Sequence, residues 1–254
     1  MSGAHGHALY VHARSPLHRL APQVKIVSAL LLLFAVISTP RQAFWAFAIY
    51  AAVLAALAAL SRIPIRFLLS RMLVAAPFVL LALLFPIVGS GPRVEVLGLS
   101  LSQAGLWDMW NLLAKSLLGL LTAIILGATT EVADLLRGLS ALRVPGLVTS
   151  ILGFMVRYLD VIIGDLTRMR LALAARGHHP TSIGDWAPYG KAVGAMFIRT
   201  YERGERVYLA MESRGYSGRM PGSAAIEAKG LEWAVGLVPA ILAWAVALTA
   251  RTAA

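Results

Sequence analysis

Two tripeptides carry the most distinctive chemistry in this chain: Ala175-Arg176-Gly177 and Ser213-Arg214-Gly215, with their arginines 38 residues apart. In each, a glycine follows a stretch of helical hydrophobic periodicity, which predicts a helix that stops at the glycine. The arginine before it then projects from the helix tip rather than lying along its side. A guanidinium there is always charged and presents a rigid fork of donors, suited to a carboxylate in another protein's groove. Attraction to the helix dipole explains a single copy. Two copies leave two readings, coincidental capping and a pair of docking points.

Other candidates are weaker. Asp108 and Lys115 are the ionisable residues inside the fourth apolar segment, and an ion-coupled secondary carrier acting alone would need such groups at mid-membrane. Their spacing of seven puts them on one helix face but ~10.5 Å apart along the axis, too far for direct contact. The competing reading is an interfacial Asp108 and a snorkelling Lys115. Asp160, Asp165, His178 and His179 form the acid–base cluster that an integral-membrane enzyme would use, yet their spacing defines no reaction. His5, His7 and His12 lie in a polar head without neighbouring carboxylates or thiols, so a metal site is not expected there. The chain has no cysteine, which excludes disulfides, thiolate zinc sites and cysteine nucleophiles. There is no G-x-x-x-x-G-K-S/T phosphate loop; the nearest string, Gly184 to Lys191, has one residue too many and is followed by Ala192. No catalytic residue, metal ligand or cofactor is therefore assigned to this chain.

The elements that position the two tripeptides follow from composition. Of 254 residues, 59% are hydrophobic and 14% charged, with a mean hydropathy of +0.75. A soluble domain has about 45–50% apolar and about 25% charged residues, so this is an all-α multi-spanning membrane protein. Apolar segments at Gln23–Thr39, Ala43–Leu60, Leu69–Val88, Ala104–Gly127 and Leu231–Ala250 predict five spans. Between Ala128 and Gly230 the texture changes: 13 Lys/Arg and 9 Asp/Glu fall there. Three amphipathic helices are expected in that region. Their stripes are Val132, Leu135, Leu136, Leu139 and Leu142; then Val148, Ile151, Leu152, Met155, Leu159, Ile162, Leu166, Met169 and Leu173; then Val193, Met196, Phe197, Tyr208 and Met211, opposite Arg199, Glu202, Arg203 and Arg206. A sixth span over 147–164 would carry Arg157 and Asp160 at mid-depth, each costing ~2.5–3.5 kcal/mol unless paired, so a surface or bundle helix is preferred.

With five spans the basic residues sort by side. Arg14, Arg19, Lys25, Arg62, Arg66, Arg71 and those of the 128–230 region fall on one side; Arg41, Arg93 and Arg251 fall on the other. The bias places the N-terminus and the 128–230 region in the cytoplasm. The net charge of +11 is then explained by topology and anionic lipid, with no need for nucleic acid. The expected organisation is a cytoplasmic segment at 1–22, four spans within 23–127, a cytoplasmic domain at 128–230 and a last span at 231–254.

The two X-Arg-Gly elements, Leu142-Arg143-Val144-Pro145 ahead of them and the four-plus-one layout together resemble the transmembrane T component of energy-coupling-factor importers. The likeness is to the cobalt-type CbiQ branch, with the nickel-type counterpart close beside it, and it covers nearly the whole chain. The resemblance implies a bacterial inner-membrane scaffold that neither hydrolyses ATP nor selects substrate. It implies two cytoplasmic ATPase subunits holding ATP and magnesium, and a small membrane S component that binds the substrate. It implies that Arg176 and Arg214 each enter a groove of one ATPase, with Ala175, Gly177, Ser213 and Gly215 shaping the tips. The helices Thr130–Arg143, Gly146–Arg176 and Gly190–Arg214 become a coupling domain whose apolar faces cradle the S component.

Overall fold

The computed structural model describes residues 10–11, 15–89, 92–96, 99–178, 186–216, 218 and 228–252. His5, His7, His12, Arg14 and His179 lie outside them. Two compact units result, one from Leu9–Gly138 with Ile226–Ala254 and one built on Leu139–Ala225.

The first unit is the membrane bundle. After a one-turn helix α1 (Pro16–Arg19) come α2 (Pro22–Ser38), α3 (Phe44–Leu60), and α4 (Ile65–Met72) joined through a 3-10 turn to α5 (Ala76–Val88). The long α6 (Gln103–Thr129) and α10 (Gly230–Thr252) complete it. The runs 65–88, 103–129 and 230–252 are long and apolar enough to cross a membrane, and the two 17-residue helices α2 and α3 are shorter apolar elements. All five coincide with the segments expected from hydropathy.

The interior holds large apolar side chains such as Phe47, Leu32, Val36 and Leu54, a line of small residues on α10 and one buried tyrosine. Gly236, Ala240, Ala243, Ala247 and Ala250 form a line on α10, all buried, on the helix that packs most extensively on α2. Lipid offers no hydrophobic drive for helices to associate, so close backbone approach through small residues does that work. Tyr50 is fully buried; its hydroxyl lies 2.8 Å from Thr39 Oγ1 and donates to the Ala243 carbonyl at 3.2 Å, which ties α2, α3 and α10 together. Lys25 Nζ donates to the carbonyls of Thr129 (2.9 Å) and His18 (3.2 Å), anchoring the start of α2 to the end of α6. The residues ahead of α1 dock on the same end, with the Val11 amide donating to the Ala128 carbonyl. Burial, with the Glu131 and Asp134 carboxylates nearby, raises the Tyr10 phenol above its ordinary value.

One element was not expected. Arg93–Val96 and Leu99–Ser102 pair as an antiparallel two-stranded ribbon, β1 and β2, with Arg93 opposite Ser102. It links α5 to α6 and ends in Ser102, whose Oγ caps α6 by accepting from the Gly105 amide. Apart from this ribbon, the regular structure among the described residues is helical.

The second unit holds α8 (Gly146–Ala175) and α9 (Ala187–Glu212), and α7 (Val132–Ala141) leads into it. By length and composition Gly146–Ala175 also qualifies as a membrane span. α7 ends with Arg143 at φ +61°, where the Arg143 amide donates to the Ser140 carbonyl and the Val144 amide to the Leu139 carbonyl. This is the double-bonded helix stop that usually requires glycine. A non-glycine residue pays about 1–2 kcal/mol there. Arg143→Gly is therefore expected to fold at least as stably as the parent, by up to about 1 kcal/mol after glycine's greater unfolded freedom is subtracted. The thermal midpoint in detergent checks this; a clear fall would mean that the arginine side chain holds the turn.

Candidate functional site

Both tripeptides form the same structure. At the end of α8, Gly177 has φ +75°, its amide donates to the Ala174 carbonyl at 2.9 Å, and the His178 amide donates to the Leu173 carbonyl at 3.0 Å. At the end of α9, Gly215 has φ +83°, its amide donates to the Glu212 carbonyl at 2.9 Å, and the Tyr216 amide donates to the Met211 carbonyl at 3.0 Å. The two ends match bond for bond. Each arginine is the last residue before the left-handed glycine, where the chain reverses and no further turn of helix covers it.

Both arginines are exposed, and among the described residues neither makes an ion pair or a side-chain hydrogen bond. Several other arginines of this unit are engaged, although Arg157 and Arg170 on α8 are, like the tips, exposed and without a side-chain bond among the described residues. Arg168 pairs with Asp165 on α8, and Arg203 on α9 reaches the same carboxylate at 3.4 Å. The two tip arginines thus remain available to a separate molecule.

The spacing of the tips follows from how α8 and α9 pack. Asp165 meets Arg203, and the His178 ring lies 5.9 Å from that of Tyr189, so residues later in α8 meet residues earlier in α9. The helices are antiparallel, and the tip of α8 stands beside the start of α9. From Tyr189 to the end of α9 at Glu212, just before Arg214, is then about 35 Å along the helix axis, at ~1.5 Å per residue. Two guanidinium groups so far apart address two separate sites, not one ligand.

The packing corrects one expectation. On α9 the partly buried line is Ala192, Met196, Thr200, Arg203, Val207 and Met211, while Phe197 (70% exposed) and Tyr208 face outward. Arg203 was expected on the polar face with Arg199, Glu202 and Arg206. It lies on the contact line instead, because Asp165 on α8 supplies the charge that lets a guanidinium sit there. On α8 the stripe divides. Ile162, Leu166, Met169 and Leu173 are partly covered, whereas Val148, Ile151, Met155 and Leu159 stay exposed.

The other candidates have separate partners. Asp108 accepts from Arg41 at 2.7 Å in an exposed pair, and Lys115 Nζ donates to the Ile37 carbonyl at 2.8 Å. Arg251 donates to the neighbouring Ser38 carbonyl, so Lys115 and Arg251 both cap the C-terminus of α2. Asp108 and Lys115 do not form a relay. Asp165 is held by arginines, and no cluster of three or more His, Asp or Glu suited to a metal occurs among the described residues.

The chain has relatives. The sequence profile of CbiQ, the cobalt transport protein family, matches residues 13–223. The chain belongs to the CbiQ family. It is 27% identical over 220 residues to an uncharacterized protein of Methanocaldococcus jannaschii, covering 83% of this chain and 75% of that one. It is 25% identical over 224 residues to an energy-coupling factor transporter transmembrane protein, EcfT, of Listeria innocua, covering 82% and 83% of the two chains. The nickel permease LarQ of Lactiplantibacillus plantarum is 32% identical over 119 residues, 46% of this chain and 42% of that one. The CbiQ-family chain is thus a multi-pass membrane component of a transporter family.

Proposed function

We propose that this chain is the T component of an energy-coupling-factor importer for a transition-metal ion, cobalt on the family's description. The observation that supports this most directly is the pair of identical helix ends, each presenting an exposed arginine with no internal partner, about 35 Å apart. One tip serves each of two cytoplasmic ATPase subunits. Arg176 and Arg214 enter a groove of one subunit each, and Ala175, Gly177, Ser213 and Gly215 keep the surrounding tip small enough to enter.

On this reading ATP and magnesium are held by the partner ATPases and metal ion by a membrane S component, while this chain transmits movement. Closure of the ATPase pair draws the two grooves together. The tips follow, and the antiparallel α8 and α9 carry the displacement to their exposed apolar faces, where Val148, Ile151, Met155, Phe197 and Tyr208 meet the S component. Coupling of this kind requires an element that both sites bias. The orientation that serves it puts the N-terminus and the 128–230 region in the cytoplasm, as the distribution of arginines and lysines favours.

The absence of cysteine makes the test direct. Ser213→Cys or Ala175→Cys introduces the sole thiol, next to a tip arginine. In native membranes, a short bifunctional thiol–amine reagent is expected to join each variant to an ATPase subunit. Adducts with no nucleotide-hydrolysing chain at either position would overturn the assignment.

A further inference from the structure

A cavity of about 480 Å³ lies inside the membrane bundle, where four helix ends meet. Its wall comprises the first turns of α2, the last of α3 and α6, and the first of α10, with Leu17 and Leu20 closing one end. Those four helix segments all lie at the end of the bundle that carries α1. The size is that of a ligand pocket, about 300–1,000 Å³. The space is open on one side rather than enclosed, and its occupant is read from its wall.

The wall dictates its chemistry. Four of the lining residues are polar, and three of these direct their donors into the protein: Lys25 to Thr129 and His18 carbonyls, Thr122 to Leu118 and Thr129 to Ile125. Ser28 is the fourth. Water needs two to four polar partners, which this surface does not offer. Hydrocarbon fits.

The cavity also has a side opening. α3 and α10 are joined at Tyr50 and Ala243, but toward the α1 end the cavity separates them. Pro239, on the wall, interrupts the α10 hydrogen-bond ladder where the two helices part. At the rim Leu60 and Val235 are each 55% exposed, Val238 58% and Leu242 45%, although all four line the cavity. An apolar space whose rim reaches the outer face of a membrane bundle opens on acyl chains.

The headgroup side is basic. Arg19 lies between lining residues Leu17 and Leu20, Arg62 follows lining residue Leu60 by two, and α1 packs on α3. Both arginines are exposed and, among the described residues, their side chains have no ion pair or hydrogen bond. We propose that the cavity holds an acyl chain of an anionic phospholipid, entering between α3 and α10, with its phosphate on Arg19 and Arg62. The site is independent of the tip arginines and of what the transporter carries.

The full chain, reconstituted in vesicles with traces of phosphatidylglycerol or phosphatidylethanolamine bearing a diazirine in the acyl chain, is illuminated and its peptides mapped by mass spectrometry. Label is expected to concentrate in residues 25–32, 53–60, 122–129 and 235–242 and to fall at least ten-fold in Ala29→Phe and in Leu126→Trp, which fill the space. Label spread evenly over outward faces, or unchanged in both variants, overturns the proposal. Phosphatidylglycerol should label several-fold more than phosphatidylethanolamine, a preference that the exposed double variant Arg19→Gln, Arg62→Asn removes. Asparagine is used at 62 because it tolerates the φ of +55° there. Equal labelling by the two lipids in the parent chain overturns the anionic headgroup.

Discussion

Changing both Arg176 and Arg214 to alanine is expected to abolish ATP-driven metal uptake while leaving the chain inserted and folded. Both side chains are exposed and make no internal bond among the described residues, so stability should move by less than about 0.5 kcal/mol. Any larger effect on transport then belongs to an intermolecular contact. Truncating one partner of a desolvated, hydrogen-bonded charge pair costs about 2–5 kcal/mol, so each tip carries a roughly 30- to several-thousand-fold share of its own contact. Because the tips address separate sites, single variants should each impair uptake and the double variant should remove it. Lysine should restore either position only partly, since an ammonium reproduces the charge but not the forked donor geometry. Uptake of radiolabelled cobalt into vesicles, with insertion measured by protease protection, checks all five variants. Near-parental uptake in the double alanine variant would leave the arginines as mere helix caps.

How far these features were legible in the sequence depended on how local their causes are. Helix ends at Gly177 and Gly215 were readable because the left-handed turn needs a residue without Cβ, and glycine announces it. The helix end at Arg143 was placed, with Pro145 just beyond it, but its left-handed turn was not readable, since no residue type marks that conformation on an arginine. The spans were legible within a few residues because lipid demands continuous apolar runs. The 93–102 ribbon was missed because its two strands are four residues each, too short for their alternation to stand out beside the glycines and proline preceding them. Arg203 was misplaced for a different reason. A helical wheel can rank faces only by hydropathy, and a charged residue that packs through an ion pair with Asp165 has the wrong hydropathy for its face. The 35 Å separation of the tips needed the antiparallel register of α8 and α9, which two long-range contacts fix and no local signal contains.

Gly105→Val is expected to unfold the bundle at the crossing of α5 and α6. A Cβ on Gly105 would lie 2.2 Å from the Phe85 carbonyl oxygen, 2.7 Å from its carbon and 2.8 Å from the Pro86 Cα. All three are backbone atoms, so no rotamer change relieves the contact. Pro86 stiffens the opposing helix at the same point, and α6 can only move away. Moving it opens the most extensive contact of α6 and lengthens the Ser102 cap on the Gly105 amide, already 3.3 Å. Over-packing costs typically 1–3 kcal/mol and loss of an N-cap about 1 kcal/mol, so a loss of about 3 kcal/mol or more is expected, read as a fall in thermal midpoint in detergent and faster proteolysis. Alanine at 105 should show most of the effect, because the first carbon already meets backbone. Gly127 on the same helix supplies the control: a Cβ there meets nothing within 4 Å. Gly127→Ala should therefore be neutral or stabilising by up to about 1 kcal/mol through helix propensity. Opposite signs for one chemical change on one helix would place the cost in the α5–α6 contact; equal signs would return it to propensity and remove the crossing from the account.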